Sequence, residues 1–181
     1  MKSSPISYRS ELARAMEALG TKQGSVFIGQ AIMFEGTAMS RSFSSVPREK
    51  LIEAPVEEEL QLGISLGLAM SGFTPVSVFP RWNFLLLAWN QLVNHLDKAS
   101  EIFNLPIPPK VIIRTSIGAS DPLNPGPQHV GDFSKATALM APNLRILTLD
   151  SAEEVFPAYL DAFERTDGVS TILVEHGGIL D

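Results

Sequence analysis

Apolar residues recur at helical spacing from Ser7 to Leu19, where Leu12, Ala15, Met16 and Leu19 fall on one face. Ser7 is placed to cap that helix at its start, and Gly20 to stop it. The period then changes. Val26-Phe27-Ile28-Gly29 is a short continuous apolar run, the pattern of a strand buried on both faces. Gln30 to Met39 carries no period and is marked by a Glu35-Gly36 turn, and the Ser-rich stretch from Ser40 to Pro47 is expected to be a loop. Leu51 to Ala54 reads as a short strand.

A helix is expected from Val56 to Ser71, with Pro55 in its first turn, where a missing N–H costs nothing. Glu57, Glu58 and Glu59 suit the positive end of its dipole. Gly63 and Gly67 lie on one face, where each costs roughly 0.5–1 kcal/mol against Ala, so that face is expected to meet another helix or backbone closely. Gly72 caps the end. Thr74 to Phe79 is a β-branched strand, and Phe84 to Ser100 a helix whose apolar surface is interrupted by Asn90, Gln91, Asn94 and Asp97. Beyond the break at Pro106 to Pro109, a strand is expected at Lys110 to Thr115, then a long Gly- and Pro-rich loop from Ser116 to Gly131. Phe133 to Met140 reads as a helix and Leu144 to Leu149 as a strand. Ser151 caps a helix through Phe163 that Pro157 should kink or delay, and Ser170 to Glu175 is the last strand.

Strands alternating with helices imply an α/β fold: a doubly wound, mostly parallel sheet with helices on both faces. Ligands in such sheets sit beyond the carboxyl ends of the strands. Those ends here are Gly29-Gln30, the turn before Val56, Phe79 to Asn83, the Ser116 loop and Thr148 to Asp150. The length of 181 residues suits one domain spanning 1–181. A net charge of −6 argues against nucleic acid as a partner. With no Cys, disulfides, thiolate catalysis and cysteine zinc sites are excluded. No apolar run reaches the roughly 18–20 residues of a membrane span, and the first twenty residues lack the apolar core of a signal peptide, so a cytoplasmic location is expected.

The sequence contains no phosphate-cradling GxxxxGK[ST], no GxGxxG after the first strand, no nucleophile elbow and no His pair at metal spacing. Three features remain. Glu58 stands in an acidic triplet that serves equally as charge complement to a helix start. Phe79, Trp82 and Phe84 are three aromatics in six residues at a strand end, suited to stacking on a planar ligand or to packing in a core. Gln128-His129 lies in the long loop, where a histidine is either solvated or functional.

The order of these features resembles the pyrimidine-binding domain of thiamine-diphosphate (ThDP) enzymes in the transketolase and pyruvate-dehydrogenase group. The likeness is strongest to the N-terminal domain of the beta subunit of 2-oxoacid dehydrogenases. It runs from Tyr8-Arg9-Ser10-Glu11-Leu12 to Val174-Glu175, through Gly63-x-x-x-Gly67, Ala69-Met70-x-Gly72, Phe79-x-x-Trp82-Asn83-Phe84, Asn90-Gln91-x-x-Asn94, Gly118-Ala119-Ser120 and Gln128-His129. It implies that Glu58, rather than Glu57 or Glu59, hydrogen-bonds the aminopyrimidine ring nitrogen and so activates the cofactor. It implies that Phe84 stacks on the pyrimidine with Trp82 and Phe79 as neighbours, and that His129 faces substrate. Gln30, where the family usually carries acids after the first strand, joins the cofactor-binding candidates.

The resemblance further implies a partner. The Gly-Asp-Gly…Asn motif that binds diphosphate and Mg2+ is absent here and lies on another domain in this family. A diphosphate-binding partner subunit is therefore expected, in a heterotetramer with ThDP and Mg2+ at the interface. The beta subunits carry a second domain where this sequence stops at Asp181, which favours transketolase, decarboxylase or ligase chemistry on a 2-oxo acid or ketose donor. A dehydrogenase beta-type subunit and a non-catalytic regulatory subunit are the alternatives.

Overall fold

The computed structural model describes residues 6–121 and 124–177. Residues 122 and 123 of the expected loop, and both ends of the expected 1–181 domain, lie outside the described residues. Six strands are present among the described residues: β1 (Ser25–Gly29), β2 (Leu51–Glu53), β3 (Thr74–Val78), β4 (Ile112–Ile117), β5 (Arg145–Leu149) and β6 (Thr171–His176). They form one sheet in the order β2-β1-β3-β4-β6-β5, and every adjacent pair is parallel. The expected doubly wound α/β fold is the one observed.

Apolar runs in the middle strands reflect burial on both faces. On one face α1 (Tyr8–Thr21) and α7 (Ala152–Glu164) bring Leu12, Met16, Leu19, Val155 and Tyr159 against Phe27, Val76 and Leu173. On the other, α3 (Glu58–Met70) and the segment 82–103 bring Leu62, Leu66, Leu85 and Leu92 against Ile113, Ile172 and Val174. Each fully buried Leu or Ile contributes about 1.5–3 kcal/mol.

The caps at Ser7 and Gly72 form as expected: Ser7 accepts from the Ser10 N–H, and Gly72 takes φ +90° where α3 ends. Four expectations shift. Pro55 lies outside α3, whose first residue is Glu58 with Glu57 as the flanking cap. The Ser40–Pro47 loop begins inside a single helical turn, α2 (Ala38–Arg41). The expected helix from Phe84 to Ser100 is broken into α4 (Trp82–Leu85), a 3-10 turn (Leu86–Ala88), a wide π turn (Gln91–Leu96) and α5 (Ala99–Phe103). Asn90 and Gln91 reach sideways, both donating to Glu59, while Asn94 donates along the segment to Asn90. Pro157 neither delays α7 nor ends it. A reciprocal Ser151–Glu154 capping box sets the start, and burial of Val155, Tyr159 and Ala162 offsets a proline cost of about 3 kcal/mol. The helix α6 (Ser134–Met140) follows its sequence pattern.

A buried ion pair ties β4 to β6. Arg114 Nε donates to Glu175 Oε1 at 2.7 Å, and Nη2 to Oε2 at 3.3 Å, with both side chains at most 4% exposed. Tyr159 donates to the same carboxylate at 2.6 Å, and Arg114 also donates to Ser42 Oγ at 2.7 Å. Burial, and then the Glu175 charge, push the Tyr159 phenol well above its ordinary pKa, which keeps it a donor. Glu175→Ala would leave Arg114 charged and unpaired. We expect it to lower unfolding free energy by about 3–5 kcal/mol in urea titrations, and Glu175→Ala with Arg114→Met to recover part of that. A loss under about 1 kcal/mol would mean that the pair is not needed to neutralise Arg114.

Candidate functional site

The strands end together on one edge, and the predicted site residues gather there. The loop leaving β1 turns sharply at Ala31, which adopts φ +57° without being glycine. The Glu53 carboxylate at the end of β2 holds that turn, accepting from the backbone N–H groups of Ala31 and Met33. Gln30 is thereby fixed, and its Nε2 donates to Glu58 Oε1 at 3.1 Å. Glu58 is 5% exposed, yet its Oε2 accepts no hydrogen bond among the described residues. One carboxylate oxygen is therefore positioned and the other left available, at the start of a helix whose dipole complements negative charge.

The three neighbouring acids are not equivalent. Glu57 is exposed and makes no capping bond, while Glu59 binds Asn90 at 2.8 Å. Below Glu58 on α3, Gln61 is 1% exposed and donates to Ser77 Oγ at 3.1 Å and the Val78 carbonyl at 3.0 Å. It pins the start of the helix to the end of β3.

The aromatic run divides. Phe79 and Trp82 are both 0% exposed and sit in the core, so neither ring has a face open to a ligand in this chain. Trp82 packs edge-on against Phe133 and donates to Ser134 Oγ. These two rings lie under the site rather than lining it, because a strand end followed directly by a helix turns them inward. Phe84 remains half-buried and meets the His129 ring edge-to-face, with centroids 5.5 Å apart at 88°.

His129 closes a short turn, Pro127–His129, that Gly126 enters at φ +92°. The Gly118 N–H donates to the His129 carbonyl at 3.0 Å, and the Gly131 N–H to Asn83 Oδ1 at 3.2 Å. The structure thus brings together Gln30 with Glu58, and Phe84 with His129. Among the described residues no group of three His, Asp or Glu side chains could hold a metal ion, and no helix is long and apolar enough to cross a membrane.

Sequence reasoning missed Glu53, Asn83 and Gln61, all of which position other groups. It also missed the Arg114–Glu175 pair. A signal for that pair was present: Arg is the one Lys/Arg/Asp/Glu residue in VIIRTSI, and Glu the one in TILVEH.

A family model described as the transketolase pyrimidine-binding domain matches residues 4–180. The chain belongs to that family. The domain resembles the mitochondrial pyruvate dehydrogenase E1 component subunit beta of Caenorhabditis elegans, at 28% identity over 106 residues covering 59% of this chain and 29% of that protein. It resembles the 1-deoxy-D-xylulose-5-phosphate synthase of Picosynechococcus sp. at 24% identity over 178 residues, 97% of this chain and 26% of that protein. The matched stretches therefore cover under a third of the length of these relatives. A solved split-gene transketolase, an inactive beta4 tetramer, shares the fold with a TM-score of 0.71 at 17% identity, covering 95% of this chain and 52% of that one.

A Cβ added at Gly118 would lie 2.2 Å from the His129 carbonyl oxygen, a backbone atom that cannot easily yield. Gly118→Ala is expected to displace the His129 turn and cost about 1–3 kcal/mol in stability. The His129 and Phe84 ring resonances should shift together by NMR. Unchanged ring resonances would show that Gly118 does not hold the turn.

Proposed function

We propose that this chain is one pyrimidine-binding domain forming half of a split ThDP-dependent enzyme that makes or breaks a carbon–carbon bond next to a carbonyl. The observation that carries this reading is Glu58: a buried carboxylate with one oxygen fixed by Gln30 and the other open at the strand edge. Family membership supports it, and so does the solved structure of the same fold, a split-gene chain described as inactive in its beta4 tetramer.

The residues fit the group. The open Glu58 Oε2 can share a proton with a ring nitrogen, while Gln30 prevents the carboxylate from turning away. Phe84 offers a half-buried apolar ring to a flat heterocycle, steadied by the edge of His129. When bound, ThDP supplies a nucleophilic carbon and an electron sink for the bond being made or broken. His129 stands in the loop where a substrate carbonyl would enter, and its role is to exchange or steer a proton there. We assign Phe79 and Trp82 a supporting role in the cofactor site.

The diphosphate and Mg2+ are assigned to a partner subunit carrying the Gly-Asp-Gly…Asn motif, in a heterotetramer in the cytoplasm. The donor is a 2-oxo acid or a ketose, and the reaction is of transketolase, decarboxylase or ligase type. The similarity to pyruvate dehydrogenase E1 beta chains favours a second reading, a dehydrogenase beta-type subunit. An acyl-transfer assay with a lipoyl acceptor separates it from an aldehyde acceptor.

Glu58→Gln is isosteric and cannot donate and accept one proton as a carboxyl can. In the complex with the partner subunit it should abolish ThDP-dependent turnover, a loss of at least about 100-fold, while the complex elutes at its native size. Undiminished turnover would remove Glu58 from the chemistry.

A further inference from the structure

A cavity of about 270 Å³ opens at the carboxyl ends of β3, β4 and β6, next to the His129 turn. Leu12, Met39 and Pro80 supply apolar lining, and Arg81, Arg114 and Glu175 supply charged lining. The cavity adjoins the candidate site through Gly118: an atom built at its Cβ position would lie 3.1 Å from Arg81 Nε, and its N–H binds the His129 carbonyl.

The charges in this cavity are unequally matched. Arg114 is paired with Glu175, whose carboxylate also accepts from Tyr159, and it donates to Ser42. Arg9, which also lines the cavity, has an interaction of its own. Arg81 is different. Its Nη1 donates to the Pro80 carbonyl at 2.7 Å and to Ser116 Oγ at 3.0 Å, which fixes the guanidinium plane. Ser116 is held in turn by its own bond to the Pro80 carbonyl at 2.8 Å. Among the described residues Arg81 has no carboxylate partner, and its Nε and Nη2 groups donate to no acceptor. Burial lowers the Arg81 pKa from its ordinary value, and the Glu175 charge works in the opposite direction. A partly desolvated, oriented guanidinium with an open two-donor edge matches a carboxylate in fork geometry.

We propose that Arg81 is a specificity-determining residue that binds the carboxylate of a small aliphatic substrate, whose carbon chain lies along the Leu12, Met39 and Pro80 wall. This rests on the proposed function for the word substrate, but the binding site itself does not require ThDP. The Glu175 carboxylate beside Arg81 favours a ligand with a single negative charge. A phosphate dianion would meet stronger repulsion from that carboxylate. The apolar wall favours a hydrocarbon segment over a polyol.

The test uses the full chain, titrated with sodium butyrate and followed by NMR at the Arg81 Nε–H resonance. Inorganic phosphate and 1-butanol serve as comparators. Butyrate should shift that resonance in a saturable way, and bind more tightly than phosphate or butanol. Arg81→Met should weaken butyrate binding by at least about tenfold, since it removes the charge-assisted hydrogen bonds, and Arg81→Lys should fall between. Absence of saturable binding, equal binding of butanol, tighter binding of phosphate, or unchanged binding by Arg81→Met would each overturn the proposal. Near-UV circular dichroism checks that Arg81→Met folds. If it does not, the wild-type comparison of butyrate with butanol decides. Glu58→Gln should bind butyrate as the wild type does, so failure of the cofactor reading is separable from failure of the anion site.

Discussion

Every polar group that this chain buries at the carboxyl edge of its sheet must find a partner there, because water cannot reach it. Six parallel strands deliver their ends to one edge, and the chain meets most of the requirement through short relays, leaving Gln61 Oε1 and Thr115 Oγ1 buried without a partner among the described residues. Glu53 holds the backbone of Ala31 and Met33, which sets Gln30, which holds one oxygen of Glu58. Gln61 fastens the helix that carries Glu58 to the end of β3. Arg114, Glu175 and Tyr159 satisfy one another across β4, β6 and α7. Two of the groups left open by these relays, Glu58 Oε2 and the outer edge of Arg81, are the ones to which we assign chemistry and recognition.

That division explains why the site is rigid on one side and open on the other. The hydrogen bond from Gln30 holds one oxygen of Glu58 in place. Phe84 meets His129 at a right angle, and the His129 turn is clamped at Gly118 and Gly131. A bound heterocycle would meet side chains already in place, so little ordering is left to oppose binding. The sequence carries no Gly-Asp-Gly…Asn motif for the diphosphate end of such a molecule, and the function proposed above gives that half of the site to a partner.

Much of the fold was legible in the sequence because its signals were local. Ser7, Gly72 and the Ser151–Glu154 pair mark helix ends, and VFIG, TPVSV and TILVEH read as buried strands. Glu58 was legible only through its place relative to Gly63, Gly67 and Gly72. What escaped was set by tertiary contact. Phe79 and Trp82 have the same local pattern as Phe84, yet the sheet and α6 cover them and leave Phe84 half-exposed. The break in the segment 82–103 follows from Asn90 and Gln91 reaching to Glu59, thirty-one and thirty-two positions away. Arg81 looked like one polar residue among aromatics, and only its bonds to Pro80 and Ser116 reveal an oriented guanidinium.

The central claim is that this chain holds half of a shared cofactor site. Isothermal titration of ThDP and Mg2+ into the full chain, alone and then with the diphosphate-binding partner, tests it directly. Binding weaker than about 1 mM by the chain alone, corresponding to about −4 kcal/mol, with affinity rising at least about 100-fold in the complex is the expected result. Micromolar binding by the chain alone, unchanged on adding the partner, would contradict it.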